Sequence, residues 1–153
     1  MAGTYSQIYL HFVFAVSARR HLLPKHARPE IFKVMAGIVK SIGCHPIAIN
    51  GYEDHVHVLI SHTPKISIPT FLSELKTGTT KFIKSANISD QDFSWQSGYG
   101  VFSHAKREIP TLVEYIKNQE QHHAKYTFRE EYIALLEEHG VDYDPRYILN
   151  ELE

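Results

Sequence analysis

Asp54-His55-Val56-His57-Val58-Leu59-Ile60 is the stretch whose reading decides the fold of this 153-residue chain. In a β-strand, side chains alternate between faces, so His55 and His57 point the same way, roughly 7 Å apart along the backbone. Val56, Val58 and Ile60 then face the opposite side and can be buried. Such a strand has one apolar face and one carrying two imidazoles, the commonest metal-binding side chain.

Working outward, Gly51-Tyr52-Glu53-Asp54 predicts a tight turn, which makes Pro46 to Asn50 the hairpin partner of His55 to Ser61. Tyr5 to Ser17 alternates strictly, with Ile8, Leu10, Phe12, Phe14 and Val16 on one face and Tyr9, His11 and Val13 on the other, and predicts a first strand. After the basic Arg19-Arg20-His21, Pro24 suits the first turn of a helix. That helix carries Ile31, Val34, Met35, Ile38 and Ile42 at helical spacing, and Gly43 stops it. Ser67-Ile68-Pro69 opens a second helix with Phe71, Leu72, Leu75, Phe82 and Ile83 as its stripe, and Gly78 weakens its middle by ~1 kcal/mol. Trp95 to Ser103 predicts a fourth strand. A third helix runs from Lys106–Pro110 towards His123, and a fourth from Phe128 to His139. Gly140 to Glu153 has little pattern.

The order β-α-β-β-α-β followed by helices predicts an α+β fold: a ferredoxin-like split βαβ with a four-stranded antiparallel sheet, plus two further helices. In that topology the first and third strands are central, which sets His11 beside the His55/His57 pair. One domain, 1–153, is expected, with a core at 5–123 and a C-terminal helix and acidic tail at 124–153. No apolar run approaches the ~20 residues of a membrane span. The first fifteen residues lack the basic leader of a signal peptide. The single cysteine, Cys44, excludes an internal disulfide and a cysteine-based zinc cluster. A cytoplasmic protein with no membrane partner is the expectation.

Net charge is −1, which by itself argues against a nucleic-acid binder. The distribution is uneven: residues 1–129 hold 15 Lys and Arg against 9 Asp and Glu, whereas residues 130–153 hold 1 against 8. The acidic tail therefore masks a basic body. Arg19, Arg20, Lys76, Lys81, Lys84, Lys106 and Arg107 are candidate phosphate contacts. His11 is a candidate for the same role or for packing beside His57, and Trp95 for the core or a base-stacking platform.

On the third helix, Tyr115 and Gln119 stand four apart and share a face, ~6 Å apart along the axis. Packed on the open face of the sheet, this helix could bring Gln119 to the histidines. Two imidazoles and an amide oxygen are a neutral set with open positions, and a bound phosphate would complete the shell of a hard cation. This suits chemistry on phosphodiesters. A phenol of pKa ≈ 10 is a poor nucleophile at neutral pH and needs help at the phosphate or a nearby proton acceptor. Tyr126 is the rival, but Glu130 stands where a partnering Gln would be. Two other readings stay open: a non-catalytic ferredoxin-like nucleic-acid-binding module stacking bases on sheet aromatics such as Tyr9, and a zinc hydrolase, for which no carboxylate or third histidine has convincing spacing.

His55-Val56-His57 resembles the His-hydrophobic-His motif of the HUH nucleases. Tyr115 with Gln119 resembles the Tyr-x-x-x-Gln of their single-tyrosine branch, the transposases of minimal insertion sequences. The likeness covers roughly residues 5–123 and includes His11-Phe12-Val13-Phe14, Lys76-Thr77-Gly78-Thr79-Thr80 and Trp95-Gln96-Ser97-Gly98-Tyr99. It departs at Val16-Ser17-Ala18-Arg19-Arg20, where a Thr-Lys pair is usual. The resemblance implies a metal-dependent single-strand DNA endonuclease and strand transferase. Tyr115 is then the catalytic residue on the third helix, forming a 5′-phosphotyrosine. Mg2+ or Mn2+ is held by His55, His57 and Gln119. Single-stranded DNA hairpins at element ends are the expected partners, acted on by a homodimer that shares its active sites between subunits.

Overall fold

In this computed structural model, residues 3–148 are described. Strand β3 spans His55–Ser61, as the alternation predicts, and pairs antiparallel with β1, Tyr9–Ala15. Strand β2, His45–Gly51, lies on the other side of β3, and β4, Gly100–His104, pairs with β1. The sheet order is β2-β3-β1-β4, so the first and third strands are central.

Phe12, Phe14, Val56, Val58 and Ile60 all point to one face and are fully buried. Helices α1, Arg28–Ile42, and α2, Ile68–Ser85, cover that face through Ile31, Met35, Phe71 and Leu75. Burial of each such side chain stabilises the fold by roughly 1.5–3 kcal/mol. Gly43 ends α1 at φ 99°, a left-handed conformation that closes the helix with the Cys44 N–H donating to Val39 O. Ser67 caps α2 by accepting a hydrogen bond from the Thr70 N–H.

The histidine face is covered as well. Helices α3, Ile109–Lys117, and α4, Gln119–His123, lie over β2 and β3, with Leu112 and Ile116 packed on Leu59. Helix α5, Phe128–Glu138, places Tyr132, Leu135 and Leu136 against Val13 and Phe102. The histidine pair is thus sealed between sheet and helices, with no exposed surface on His11, His55 or His57. No helix among the described residues is long and apolar enough to cross a membrane.

Four boundaries differ from the sequence expectation. The first strand pairs only over Tyr9–Ala15, and Tyr5 is fully in solvent. Helix α1 begins at Arg28 because Pro24 sits in the preceding turn and Pro29 takes the first helical turn. Residues 95–99 do not join the fourth strand. Trp95 makes one isolated bridge to Val16, and its ring sits edge-on to Phe14 and Phe93, centroids 5.0 and 5.1 Å away, so it belongs to the core. The predicted third helix breaks at Asn118 into α3 and α4. Asn50 explains where: its Nδ2 donates to Ile116 O at 2.9 Å and Lys117 O at 3.1 Å, satisfying carbonyls at the end of α3. The stretch after Gly140 also packs back, with Ile148 buried and Arg129 donating to Pro145 O, while the rest of that tail, 149–153, lies outside the described residues.

Two glycines respond oppositely to a methyl group. A Cβ on Gly51 would lie 2.3 Å from His55 O and 3.0 Å from Val56 Cα, and this backbone cannot move without displacing the histidine strand. On Gly78 it would meet only the end of the Ile38 side chain, at 2.8 Å. Gly51→Ala should cost roughly 1–3 kcal/mol. Gly78→Ala should stay within about 1 kcal/mol of the parent, because a helix-propensity gain of ~1 kcal/mol offsets the shift of Ile38. Thermal denaturation of the two variants side by side checks both.

Candidate active site

Strand β3 delivers His55 and His57 to one face, with ring centroids 5.1 Å apart. Tyr115 arrives from the last turn of α3, its ring edge-on to His57 at 5.7 Å, and Gln119 is the first residue of α4. The four residues singled out by spacing are therefore brought together. Gln119 Oε1 lies 3.0 Å from His55 Nε2 and 3.1 Å from His123 Nε2.

The centre of the cluster is a residue that spacing did not pick out, Glu131 of α5. Its Oε1 is 3.1 Å from each of the Nε2 atoms of His55, His57 and His123. Its Oε2 accepts hydrogen bonds from the Tyr115 hydroxyl and, at 3.0 Å, from Gln119 Nε2. Only 4% of Glu131 is exposed. The carboxylate that sequence spacing failed to find for a metal site is thus present. One signal pointed to it: Phe128, Glu131, Tyr132 and Leu135 recur at i, i+3, i+4 and i+7, which puts an acid on the buried stripe of its helix.

Outer contacts orient the imidazoles. His55 Nδ1 donates to Asp54 Oδ1 at 2.7 Å, so Asp54 does more than shape the turn. His57 Nδ1 is 2.8 Å from His11 Nε2, the two rings stacked with centroids 5.0 Å apart; His11 packs beside His57, one of its two anticipated roles. Metal-ligating histidines usually have their second nitrogen fixed in this way.

The electrostatics follow from the hydrogen bonds. Burial alone would lower the pKa of His55, but Asp54 and Glu131 outweigh it and raise it to about 9. Burial lowers His57, which Glu131 only partly offsets. Burial would raise Glu131, yet the hydrogen bonds from His123, His55 and His57 hold it far below the usual carboxylate range. Burial and the adjacent Glu131 charge push the Tyr115 phenol well above its ordinary value. The site therefore keeps an ionised carboxylate against a protonated phenol.

His55, His57 and Glu131 each offer one ligand atom, all within 4.8 Å of one another. Two imidazole nitrogens and a carboxylate oxygen are a donor set that fits a divalent ion. Tyr126, the rival tyrosine, is half-exposed and packs on His122.

Most of the candidate phosphate contacts lie elsewhere. Arg19 is exposed, and Arg20 pairs with Asp92 and Asp90 on the surface. Lys76 donates to Gln96 O at 2.8 Å and lies over the Phe14 ring; burial pushes its pKa down to about 8. Lys76, Lys81 and Lys84 line a shallow cavity with Trp95 against α2, on the opposite side of the sheet from Tyr115. Lys106 borders a separate small cavity with Tyr9. Arg107 alone of this group lines a cavity that opens on Tyr115.

The chain is similar to known proteins over most of its length. A family model described as "Transposase IS200 like" matches residues 4–119. The ISDra2 transposase TnpA of Deinococcus radiodurans is 23% identical over 122 residues, which span 76% of this chain and 87% of that protein. A crystal structure of a candidate transposase from Deinococcus radiodurans R1, 22% identical, covers 78% of this chain and 95% of its own length with a TM-score of 0.62. A REP-associated tyrosine transposase, solved bound to a REP hairpin, is 13% identical and covers 80% of this chain and 73% of its own, with a TM-score of 0.58. At these identities the two structures speak for the fold, and the family match, which spans well over half of the sequence, speaks for descent. The chain belongs to the IS200-like transposases.

Proposed function

We propose that this protein cleaves and rejoins single-stranded DNA at hairpin-marked ends, with Tyr115 as the nucleophile. The observation that carries the reading is the convergence of the Tyr115 hydroxyl, His55 and His57 on one buried carboxylate in a member of this family. The Tyr115 oxygen attacks the phosphorus, the bond from phosphorus to the 3′ oxygen breaks, and a 5′-phosphotyrosine and a free 3′-OH result. Glu131 Oε2 already accepts the phenolic hydrogen bond and relays the proton, which a carboxylate held so far below its usual range does not keep, to the departing 3′ oxygen. The covalent ester conserves the cleaved linkage for attack by a second 3′-OH, which strand exchange requires and hydrolysis does not.

His55, His57 and Glu131, with Gln119 beside them, would hold Mg2+ or Mn2+. Such an ion would supply Lewis-acid stabilisation of charge at the scissile phosphate. Asp54 and His11 fix the two imidazoles. The resemblance implies a homodimer with shared active sites. The single chain already sets Tyr115 against its own His57, which favours a site complete within one copy.

Tyr115→Phe should abolish covalent attachment to a labelled hairpin oligonucleotide on denaturing gels while leaving hairpin binding intact. Attachment that persists in this variant and vanishes in Tyr126→Phe would reassign the nucleophile. EDTA should stop cleavage without releasing the hairpin. Mixing the Tyr115→Phe and His57→Ala variants should restore no cleavage, whereas recovery in the mixture would show that each site draws on two copies. Calorimetry with Mn2+ alone should show Glu131→Gln binding about 10–100-fold more weakly. Unchanged affinity would return the third ligand position to Gln119.

A further inference from the structure

A cavity of about 600 Å³ opens beside Tyr115, between the end of β4, the start of α3 and the outer turns of α5. The proposed chemistry uses its Tyr115 and Glu131 wall, with His11 behind them fixing His57. Ala134, Leu112 and Leu135 make part of it apolar, and His11, His104 and His139 bring three imidazoles to it. The His104 and His139 rings meet edge to face at 5.2 Å, and His104 lies 6.1 Å from His11.

Two of these imidazoles carry nitrogens without a hydrogen-bond partner among the described residues. His11 is wholly buried; its Nε2 is spent on His57, and its Nδ1 has no hydrogen-bond partner among the described residues. The His104 side chain is 8% exposed; its Nδ1 lies 3.7 Å from Glu108 Oε1, too far for a hydrogen bond, and neither ring nitrogen has a hydrogen-bond partner among the described residues. Buried polar atoms left unpaired are rare and costly, and in a cavity they mark where a ligand or ordered water belongs. Burial and the neighbouring His139 also keep His104 below the usual imidazole pKa, so it is uncharged at neutral pH, with one donor and one acceptor. An uncharged pair of this kind suits the edge of a heterocycle better than a phosphate. Apolar walls, flat imidazole faces and a volume within the range of small-molecule sites fit the same class of ligand.

We infer that this cavity receives one nucleobase flanking the scissile phosphate, turned out of the strand, and that His104 reads its hydrogen-bonding edge. Tyr115 lines the cavity and bears the reacting hydroxyl, so a base seated here holds its own phosphate at the nucleophile. Base extrusion of this kind costs least in single-stranded substrate. The inference rests on the function proposed above and adds a protein-read position to it.

The test uses the full chain and a hairpin library with a randomised single-stranded flank, recovering covalently attached products and sequencing them. The parent protein should favour certain bases at one position next to the cleaved phosphate by roughly 10- to 100-fold, the discrimination of a well-paired base contact. An abasic site at that position should slow attachment by a similar factor. His104→Ala should flatten the preference, and His104→Gln should restore part of it. Leu135→Phe, which fills the cavity, should slow attachment of normal substrate but leave the abasic substrate as it is with the parent. Equal attachment for every base and for abasic sites on both sides of the phosphate would overturn the inference. So would a preference that survives both His104→Ala and Leu135→Phe. Failure of the underlying function looks different: no oligonucleotide would become attached at all, and both readings would fall together.

Discussion

The carboxylate of Glu131 is the contact on which the rest of the site depends. Five side chains from β3, α3 and α4 bond to its two oxygens: His55, His57, His123, Tyr115 and Gln119. Burying an ionised acid without compensation would be prohibitive. The compensation comes from the hydrogen bonds of His123, His55 and His57 and from the Tyr115 and Gln119 donors. A buried group of this kind is weak evidence for stability, since an apolar replacement often does as well. It stands at the meeting point of three helices and a strand. One oxygen faces the imidazole nitrogens and the other faces the phenol.

Around that contact the scaffold fixes distances with few parts. Asn50 and His57 are paired neighbours across β2 and β3, and Asn50 also holds the end of α3, one residue beyond Tyr115. The same rung of the sheet therefore sets both the imidazole and the helix that carries the tyrosine. Thr127 and Glu130 cap α5 reciprocally, which defines where that helix starts and hence which of its side chains points inward. Glu130, the acid four residues after Tyr126, is used in this cap, while its neighbour turns into the site.

Much of this was legible in the sequence because it rests on short-range pattern. The period of two over His55 to Ser61, the helical stripes of α1 and α2 and the element order gave the sheet and its central strands. Tyr115 and Gln119 could be paired because they lie within one helical turn, and they still converge although the helix breaks between them. The break itself was hidden: it depends on Asn50, far away in the chain. The start of β4 was misjudged because Trp95 and Tyr99 look like strand residues, and only the packing of Trp95 on Phe14 and Phe93 shows otherwise. Glu131 was missed because it stands among the acids of a negatively charged C-terminal region. Only its place on an apolar stripe separates it from the solvated ones.

The family pattern ends at residue 119, and Glu131 lies beyond it. That acid is carried on α5, joined to α4 by a short connection. One helix thus bears both the buried acid and part of the packing of the sheet, so a change along its buried stripe reaches framework and cluster together.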